Sequence, residues 1–152
     1  MKIIIDRSDL LKPLSHIQSV VERRNTIPIL SNVVIKADED YLFLSATDMD
    51  IDILEKFKCN VLKSGSITVT AHILYDIVRK LSDGSELEIE YNDGTASLTS
   101  NKSKFQLPVL PVEDYPTLSQ GDFPISFKLT VGELSRLIDK TKFAISMEET
   151  RY

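Results

Sequence analysis

The sequence predicts an α+β fold in which a strand-then-helix unit recurs along the chain. Three segments begin with a short apolar strand and continue into an amphipathic helix, at 2–21, 67–81 and 125–145. Leu10 and Leu134 hold equivalent places in the first and third copies, an offset of 124 residues (134 − 10). Such a long period indicates one domain built from two half-units, followed by a second domain that begins with the same strand-then-helix unit. Repeated units usually build a surface instead of a single catalytic cleft.

The first half-unit contains one helix and four candidate strands. Ser8 or Asp9 can cap the helix, and Pro13 falls near its first turn, where a missing N–H costs least. β-branched residues and alternation of apolar with polar residues mark the strands. The predicted strands lie at 2–6, 33–37, 42–46 and 48–53.

The second half-unit repeats this order. Its helix, at about 71–81, ends before Gly84, which can adopt the left-handed conformation that closes a helix. Asn92-Asp93-Gly94 is a strong hairpin signal. The predicted strands lie at 67–70, 86–91, 95–100 and 102–107. A helix followed by three strands, found twice, predicts largely antiparallel sheets.

A proline-rich segment marks the predicted domain boundary. Residues 108–124 hold four of the six prolines and form a stiff connector. We expect residues 1–118 to form a complete domain and residues 119–152 to begin a second, truncated one. The helix predicted at 131–146 has an apolar face, and the strands that would cover it are missing, so we expect the chain to be a fragment.

Composition narrows the class of protein. The 152 residues are 42% hydrophobic and 27% charged, which is ordinary globular usage. The net charge of −5 gives no whole-molecule attraction to nucleic acid, so any DNA contact needs a local basic surface. No signal peptide or membrane-length apolar run is present, and a lone Cys59 fits a reducing cytosol. We therefore expect a cytoplasmic protein with no membrane partner.

The sequence offers little for catalysis. His16 and His72 are the near-neutral acid–base groups, and neither lies in a recognisable nucleotide-binding or hydrolase motif. The acidic residues at 48, 50 and 52 would share one face of a predicted strand and suggest a divalent cation. An EF-hand loop would need glycine and glutamate where Ile53 and Cys59 stand, so that interpretation fails. We expect no catalytic residue, metal or cofactor, although an enzyme using this acidic row stays an alternative.

Each predicted helix carries a polar stripe with basic residues opposite its apolar face. The stripes contain Lys12, His16, Ser19 and Arg23, then His72, Asp76 and Arg79 beside Lys80, and finally Arg136 and Lys140. Acidic residues concentrate on turns and strands, so an acidic protein could still present a basic side to phosphates. A solvated helix face and a DNA-contacting face both fit these residues.

The predicted strand at 102–107 suggests an edge. Lys102 and Lys104 alternate with Phe105 and Leu107 along it. Lysines of this kind guard an edge strand against unwanted pairing. The same residues could instead build an edge that pairs with another chain, with the two apolar side chains as anchors.

An ordered set of motifs resembles the bacterial DNA polymerase III beta subunit, the sliding clamp. The motifs are LLKPL at 10–14, Arg24 with TIPILSN at 26–32, ATD at 46–48, DIVR at 76–79, and 105–110 followed by DYP at 114–116. The resemblance continues to Arg151-Tyr152. It implies the DNA-clamp fold, with the helices on one face of curved sheets.

The resemblance also implies a function. Members of the family are non-catalytic rings of two head-to-tail subunits, each of three similar domains, that encircle double-stranded DNA without reading its sequence. By position, it implies that Arg24, Arg79 and Tyr152 face DNA, and the polar stripes described above add Lys80, Arg136 and Lys140. The dimer seam would use Lys102, Lys104, Phe105 and Leu107. The replicative polymerase and the clamp loader would bind regions absent here. A non-catalytic protein-interaction domain without nucleic-acid binding is the alternative.

Overall fold

The structure, a computed structural model, describes residues 1–23, 26–116 and 124–146. Its contacts divide the chain into two compact units, Met1–Leu118 and Ser119–Tyr152. Arg24 and Tyr152, both predicted to face DNA, lie outside the described residues. The division of the chain into a complete and a truncated domain stays a prediction.

Unit 1 contains two antiparallel sheets and two helices. The first half runs β1 (Lys2–Asp6), α1 (Arg7–Val20), β2 (Asn32–Asp38), β3 (Tyr41–Thr47) and β4 (Asp52–Lys58), with a 3₁₀ turn at Pro28–Ser31. The second half follows as β5 (Asn60–Lys63), β6 (Gly65–Thr70), α2 (Ala71–Lys80), β7 (Glu86–Asn92), β8 (Thr95–Ser100) and β9 (Ser103–Pro108), with a 3₁₀ turn at Val112–Asp114.

The sheets confirm the internal duplication. One sheet has the order β4-β3-β2-β6 and the other has β5-β1-β7-β8-β9. Strand β1 of the first half pairs with β7 of the second half, with Ile3 opposite Ile89. Strand β6, the counterpart of β1 in the second half, pairs with β2, with Ile67 opposite Ile35. The β1-to-β4 series therefore corresponds element by element to β6-to-β9, with β5 added. Exchange of the first strands joins the halves into one unit.

The core of unit 1 lies between the helices and the sheets. Leu10, Leu14 and Ile17 of α1 are fully buried, as are Leu74 and Val78 of α2. Inward-facing residues of both sheets complete the cluster, and the alternate residues of those strands stay exposed or half-buried. This alternation is what a sheet with one covered face requires.

The predicted acidic strand is wrong. The chain forms a tight turn from Asp48 to Ile51, and β4 begins only at Asp52. Asp48 Oδ1 accepts hydrogen bonds from the backbone N–H groups of Asp50, at 3.0 Å, and Ile51, at 2.7 Å. An aspartate that bonds its own backbone in this way competes with the sheet ladder and favours a turn. The three carboxylates therefore do not share a strand face.

The hairpin prediction is confirmed, because Gly94 closes the β7–β8 hairpin with a φ of 78°. Asp93 beside it also has a positive φ, of 46°, as the tight hairpin turn requires. The prediction that Gly84 caps α2 is wrong: Gly84 has a φ of 71° but lies in a separate turn, and the C-cap of α2 is Leu81 in an extended conformation. Strand β5, which pairs with β1, was not predicted from the sequence.

Unit 2 contains α3 (Val131–Thr141) and a 3₁₀ turn at Lys142–Ala144. A capping box starts α3, in which Thr130 and Glu133 satisfy each other's backbone N–H groups. These hydrogen bonds from Thr130 lower the pKa of the Glu133 carboxyl. The strand predicted at 125–129 is irregular, because no strand pairs with it among the described residues. Apolar side chains of this unit are exposed, among them Ile125, Phe127, Leu134, Leu137 and Ile138.

Candidate functional site

The helices α1 and α2 lie side by side and run antiparallel. Arg7, at the start of α1, donates from Nε to the carbonyl of Val78 and from Nη2 to that of Arg79, both at 3.0 Å. Its Nη1 also pairs with Asp83. These carbonyls belong to the last turn of α2, which has few partners within its own helix. The start of α1 is thereby fixed beside the end of α2.

The opposite ends of the two helices are joined by His72. Its Nε2 lies 2.9 Å from the carbonyl oxygen of Val21, the residue that closes α1. A carbonyl only accepts, so Nε2 carries the proton, and Nδ1 is buried with no partner among the described residues. The prediction that His72 belongs to a solvent-facing polar stripe is therefore wrong, because it bridges the helices instead.

The remaining stripe residues on the helices are exposed, except for the half-buried Asp76. On α1 these include Lys12 and His16, and Arg23 is exposed in the segment that follows α1. On α2, Arg79 and Lys80 occupy the last turn and are both exposed. Exposed cations of this kind can contact phosphate groups, and such contacts carry no sequence information.

Acidic neighbours reduce the positive charge of this helical face. Arg79 is 54% exposed, and its Nη2 lies 3.0 Å from Asp76 Oδ1, one turn earlier on α2. Its guanidinium also lies 5.5 Å from the ring centre of Tyr75. On α1, His16 Nδ1 lies 2.7 Å from Glu55 Oε1 of β4. The carboxylates of Asp76 and Glu55 therefore offset part of the positive charge on this face.

Unit 2 presents a second pair of cations. Arg136 and Lys140 are exposed on α3 and stand four residues apart, so they share one side of the helix. With Arg79 and Lys80, they complete the predicted DNA-facing residues that the structure describes.

Strand β9 forms one edge of the five-stranded sheet, as the sequence predicts. Lys102 and Lys104 are exposed, and Phe105 is half-buried. Leu107 is only 6% exposed and belongs to the core of unit 1. Leu107 shares a strand face with Phe105 and packs into the core of its own unit, and its part in a dimer seam stays a prediction. Phe105 keeps the position of an anchor.

A groove of about 300 Å³ separates α2 from β9. It is lined by Ile73, Asp76, Ile77, Lys80, Leu81, Ser103 and Phe105. Ile73 is 48% exposed there, although isoleucine is among the most often buried residues. Ile73 and Ile77 were not predicted from the sequence as groove residues. Their four-residue spacing, next to the core positions of α2, widens its apolar stripe beyond what the core uses.

The other half of unit 1 fills the equivalent place differently. Leu98 opposes Phe105, and in the first half the matching pair is Leu44 opposite Glu55. The α1 residues that correspond to Ile73, Ile77 and Lys80 are Asp9, Pro13 and His16. The His16–Glu55 hydrogen bond therefore stands where the second half has an open apolar groove. The fold does not require the groove, so its apolar lining indicates a contact surface.

The described residues contain no group of three or more histidine, cysteine, aspartate or glutamate side chains suited to a metal ion. Within the same residues, no helix is long and apolar enough to cross a membrane. Burial raises the pKa of the Cys59 thiol to about 11, so this cysteine is a poor nucleophile at neutral pH.

Comparison with known proteins assigns the chain to a family. Residues 1–119 match the family model of the DNA polymerase III beta subunit, N-terminal domain. The chain belongs to this family. The beta sliding clamp of Caulobacter vibrioides is 49% identical over the whole chain, which covers 41% of that relative. The beta sliding clamp of Pseudomonas aeruginosa is 35% identical, with 42% of its length covered.

Solved beta-subunit structures share the fold. The polymerase III beta structure from Caulobacter crescentus matches with a TM-score of 0.95 and 49% identity, and the chain covers 41% of it. The DNA polymerase III subunit beta from Pseudomonas aeruginosa matches with a TM-score of 0.94 and 35% identity, with 42% covered. Both matches include all of this chain. The predicted α+β clamp fold is confirmed, and the chain spans about two fifths of these relatives' length.

Proposed function

We propose that this chain is the first part of a sliding clamp, a non-catalytic ring that encircles double-stranded DNA in the cytoplasm and tethers the replicative polymerase. The family match and the antiparallel α1–α2 pair carry the proposal. The exposed Arg79 and Lys80 stand in the last turn of α2. Topological linkage replaces tight binding in a closed ring, which suits weak charge contacts.

Each unit contributes its own DNA-facing residues. These are Arg24, Arg79 and Lys80 in unit 1, and Arg136, Lys140 and Tyr152 in unit 2. Contact with phosphates alone leaves the sequence unread, so the ring can slide. The ion pair of Arg79 with Asp76 weakens the contact that Arg79 makes.

The ring seam uses the β9 edge and its groove. A second copy of the full-length protein, in head-to-tail order, adds its own edge there. Phe105 and the groove residues supply the apolar contact, while Lys102 and Lys104 meet acidic residues across the seam. Leu107 supports β9 from inside the core. An apolar centre rimmed by charge is the usual anatomy of a stable interface.

The remaining functions lie outside this chain. We assign residues 1–118 to a complete first domain and residues 119–152 to the beginning of a second. The polymerase and the clamp loader bind later parts of the full-length protein.

Retention on circular DNA tests the proposal. The full-length protein is loaded onto a nicked circular plasmid, separated by gel filtration, and compared with a sample in which the plasmid is then linearised. A ring stays on the circle and leaves the linear molecule, since only topology holds it. The Arg24→Glu, Arg79→Glu double variant should load more slowly or dissociate sooner, whereas Lys63→Glu, on the edge strand β5, serves as control.

The outcomes separate the two candidate functions. Equal retention on circular and linear DNA would contradict encirclement. Absence of DNA association by the full-length protein, with its loader and ATP supplied, would favour a protein-interaction domain that binds no nucleic acid.

A further inference from the structure

The four-stranded sheet has an unusual surface on the side opposite the helices. Lys36 of β2, Phe43 of β3 and Lys56 of β4 are direct cross-strand neighbours in one row. Tyr41 and Lys58 oppose each other in the next row. We call these five residues the lysine–aromatic face. The three lysines are exposed and the two rings are half-buried.

Contacts with the rings hold the ammonium groups in place. Lys56 Nζ lies 4.3 Å from the ring centre of Tyr41 and 5.2 Å from that of Phe43. Lys36 Nζ lies 5.9 Å from the Phe43 centre and 3.7 Å from Asp38 Oδ2. Among the described residues, no ion pair joins Lys56 or Lys58 to a carboxylate. A lysine over a ring keeps its hydrogen-bond donors available.

The internal repeat provides a control for this surface. The positions that correspond to Lys36, Phe43 and Lys56 in the second half are Glu90, Ser97 and Gln106, by the same strand pairing. That sheet forms with neither aromatic rings nor lysines at these positions. The lysine–aromatic face is therefore not a requirement of the fold, and a binding role accounts for it.

We propose that the lysine–aromatic face binds an extended acidic peptide segment of a partner protein. Leu54, Lys56 and Lys58 alternate on the outward side of β4, and Leu54 is 63% exposed. Alternate residues of a strand stand about 6.8 Å apart, and the same spacing holds in an extended peptide. A peptide with an apolar residue followed by two carboxylates at alternate positions matches Leu54, Lys56 and Lys58 of β4 in both charge and spacing.

Single-stranded nucleic acid fits the surface less well. Binding of that kind relies on bases stacking on open aromatic faces. Here the Lys56 ammonium already lies over the Tyr41 ring, and both rings are half-buried. Carboxylates can meet the lysines directly without displacing them.

A designed peptide tests the proposal on the full chain. The probe is a fluorescein-labelled peptide with a leucine and two glutamates at alternate positions in a serine–threonine background, followed by fluorescence anisotropy. We expect binding that weakens as salt rises, and about a tenfold loss for the Lys56→Gln, Lys58→Gln double variant. Phe43→Ser, which copies the other half of the repeat, should weaken binding because it removes the ring between the lysines. Lys63→Gln should leave binding unchanged.

Three results would overturn the proposal. The first is a peptide with glutamines in place of the glutamates that binds as tightly as the glutamate peptide. The second is a loss of affinity in the Lys63→Gln control equal to that in the double variant. The third is no binding of the glutamate peptide at low salt. A fluorescein-labelled oligothymidine serves as the competing ligand. If it binds and the double variant abolishes its binding while the peptide stays unbound, the surface recognises single-stranded nucleic acid instead. Urea unfolding of each variant establishes that the lysine substitutions leave the fold intact.

Discussion

The hydroxyl of Tyr115 joins the segment after β9 to the end of the four-stranded sheet. It accepts a hydrogen bond from the backbone N–H of Thr47, at 3.0 Å, and donates one to the carbonyl of Asn32, at 3.2 Å. Tyr115 is only 7% exposed, so Tyr115→Phe leaves both backbone groups without their partner in a buried place. An unsatisfied buried group costs about 1–3 kcal/mol, and we expect a loss of about 2–3 kcal/mol in the free energy of unfolding.

Urea denaturation measures this loss. A cost of that size lowers the midpoint by roughly 1–2 M, with an unchanged slope. Tyr91→Phe, which removes a hydroxyl from a half-buried tyrosine outside this network, is the control. A Tyr115→Phe midpoint within the error of the parent protein would refute the reasoning, since it would show that water replaces the hydroxyl at no cost.

The pH dependence gives a second measurement on the same residue. Burial raises the pKa of Tyr115 above its ordinary value of 10.0. The folded state therefore holds the proton more tightly than the unfolded state. This contribution to stability is fully present below pH 10 and is lost as the pH rises through the folded-state pKa. We expect Tyr115→Phe to lose less stability than the parent protein over that alkaline range.

Three further predictions concern the surfaces and the thiol. Asp76→Asn should increase retention of the full-length protein on DNA at low salt, because it frees Arg79 from its ion pair; unchanged salt dependence would contradict this. In the full-length protein, the Phe105→Ala, Ile73→Ala double variant should raise the dissociation constant of the proposed dimer at least about tenfold, as measured by analytical ultracentrifugation. Glu55→Ala, at the position equivalent to Phe105, should leave this constant unchanged. Burial raises the pKa of the Cys59 thiol from its ordinary value of 9.0 to about 11, so Cys59 should react with iodoacetamide at pH 8 about a hundredfold more slowly than an exposed thiol. Reaction at the rate of an exposed thiol would disprove its burial.

The elements with strong periodicity could be predicted from the sequence. The apolar stripes of α1 and α2, with Leu10, Leu14 and Leu74 buried, follow from helical spacing. The Gly94 hairpin follows from turn chemistry. The duplication follows from these patterns because each half repeats the same order of elements.

The failures come from interactions that spacing does not encode. Asp48 alternates with apolar residues like a strand residue, but its carboxylate bonds the following backbone and starts a turn. His72 stands at a polar position of α2, yet the carbonyl it bonds lies at the far end of another helix.

Divergence between the two halves of unit 1 is what creates its candidate sites. The shared topology would give both halves the same surfaces, since strands and helices correspond one to one. Phe105 and Ile73 open an apolar groove where the first half places the polar His16–Glu55 pair. Conversely, Lys36 and Phe43 build a cationic face where the second half places Glu90 and Ser97. Lys36 and Phe43 lie on the sheet side opposite the helices, whereas Phe105 packs at the margin of the core that both halves share. A duplicated fold can therefore diverge at its surface and at the margin of its core while its buried centre stays the same.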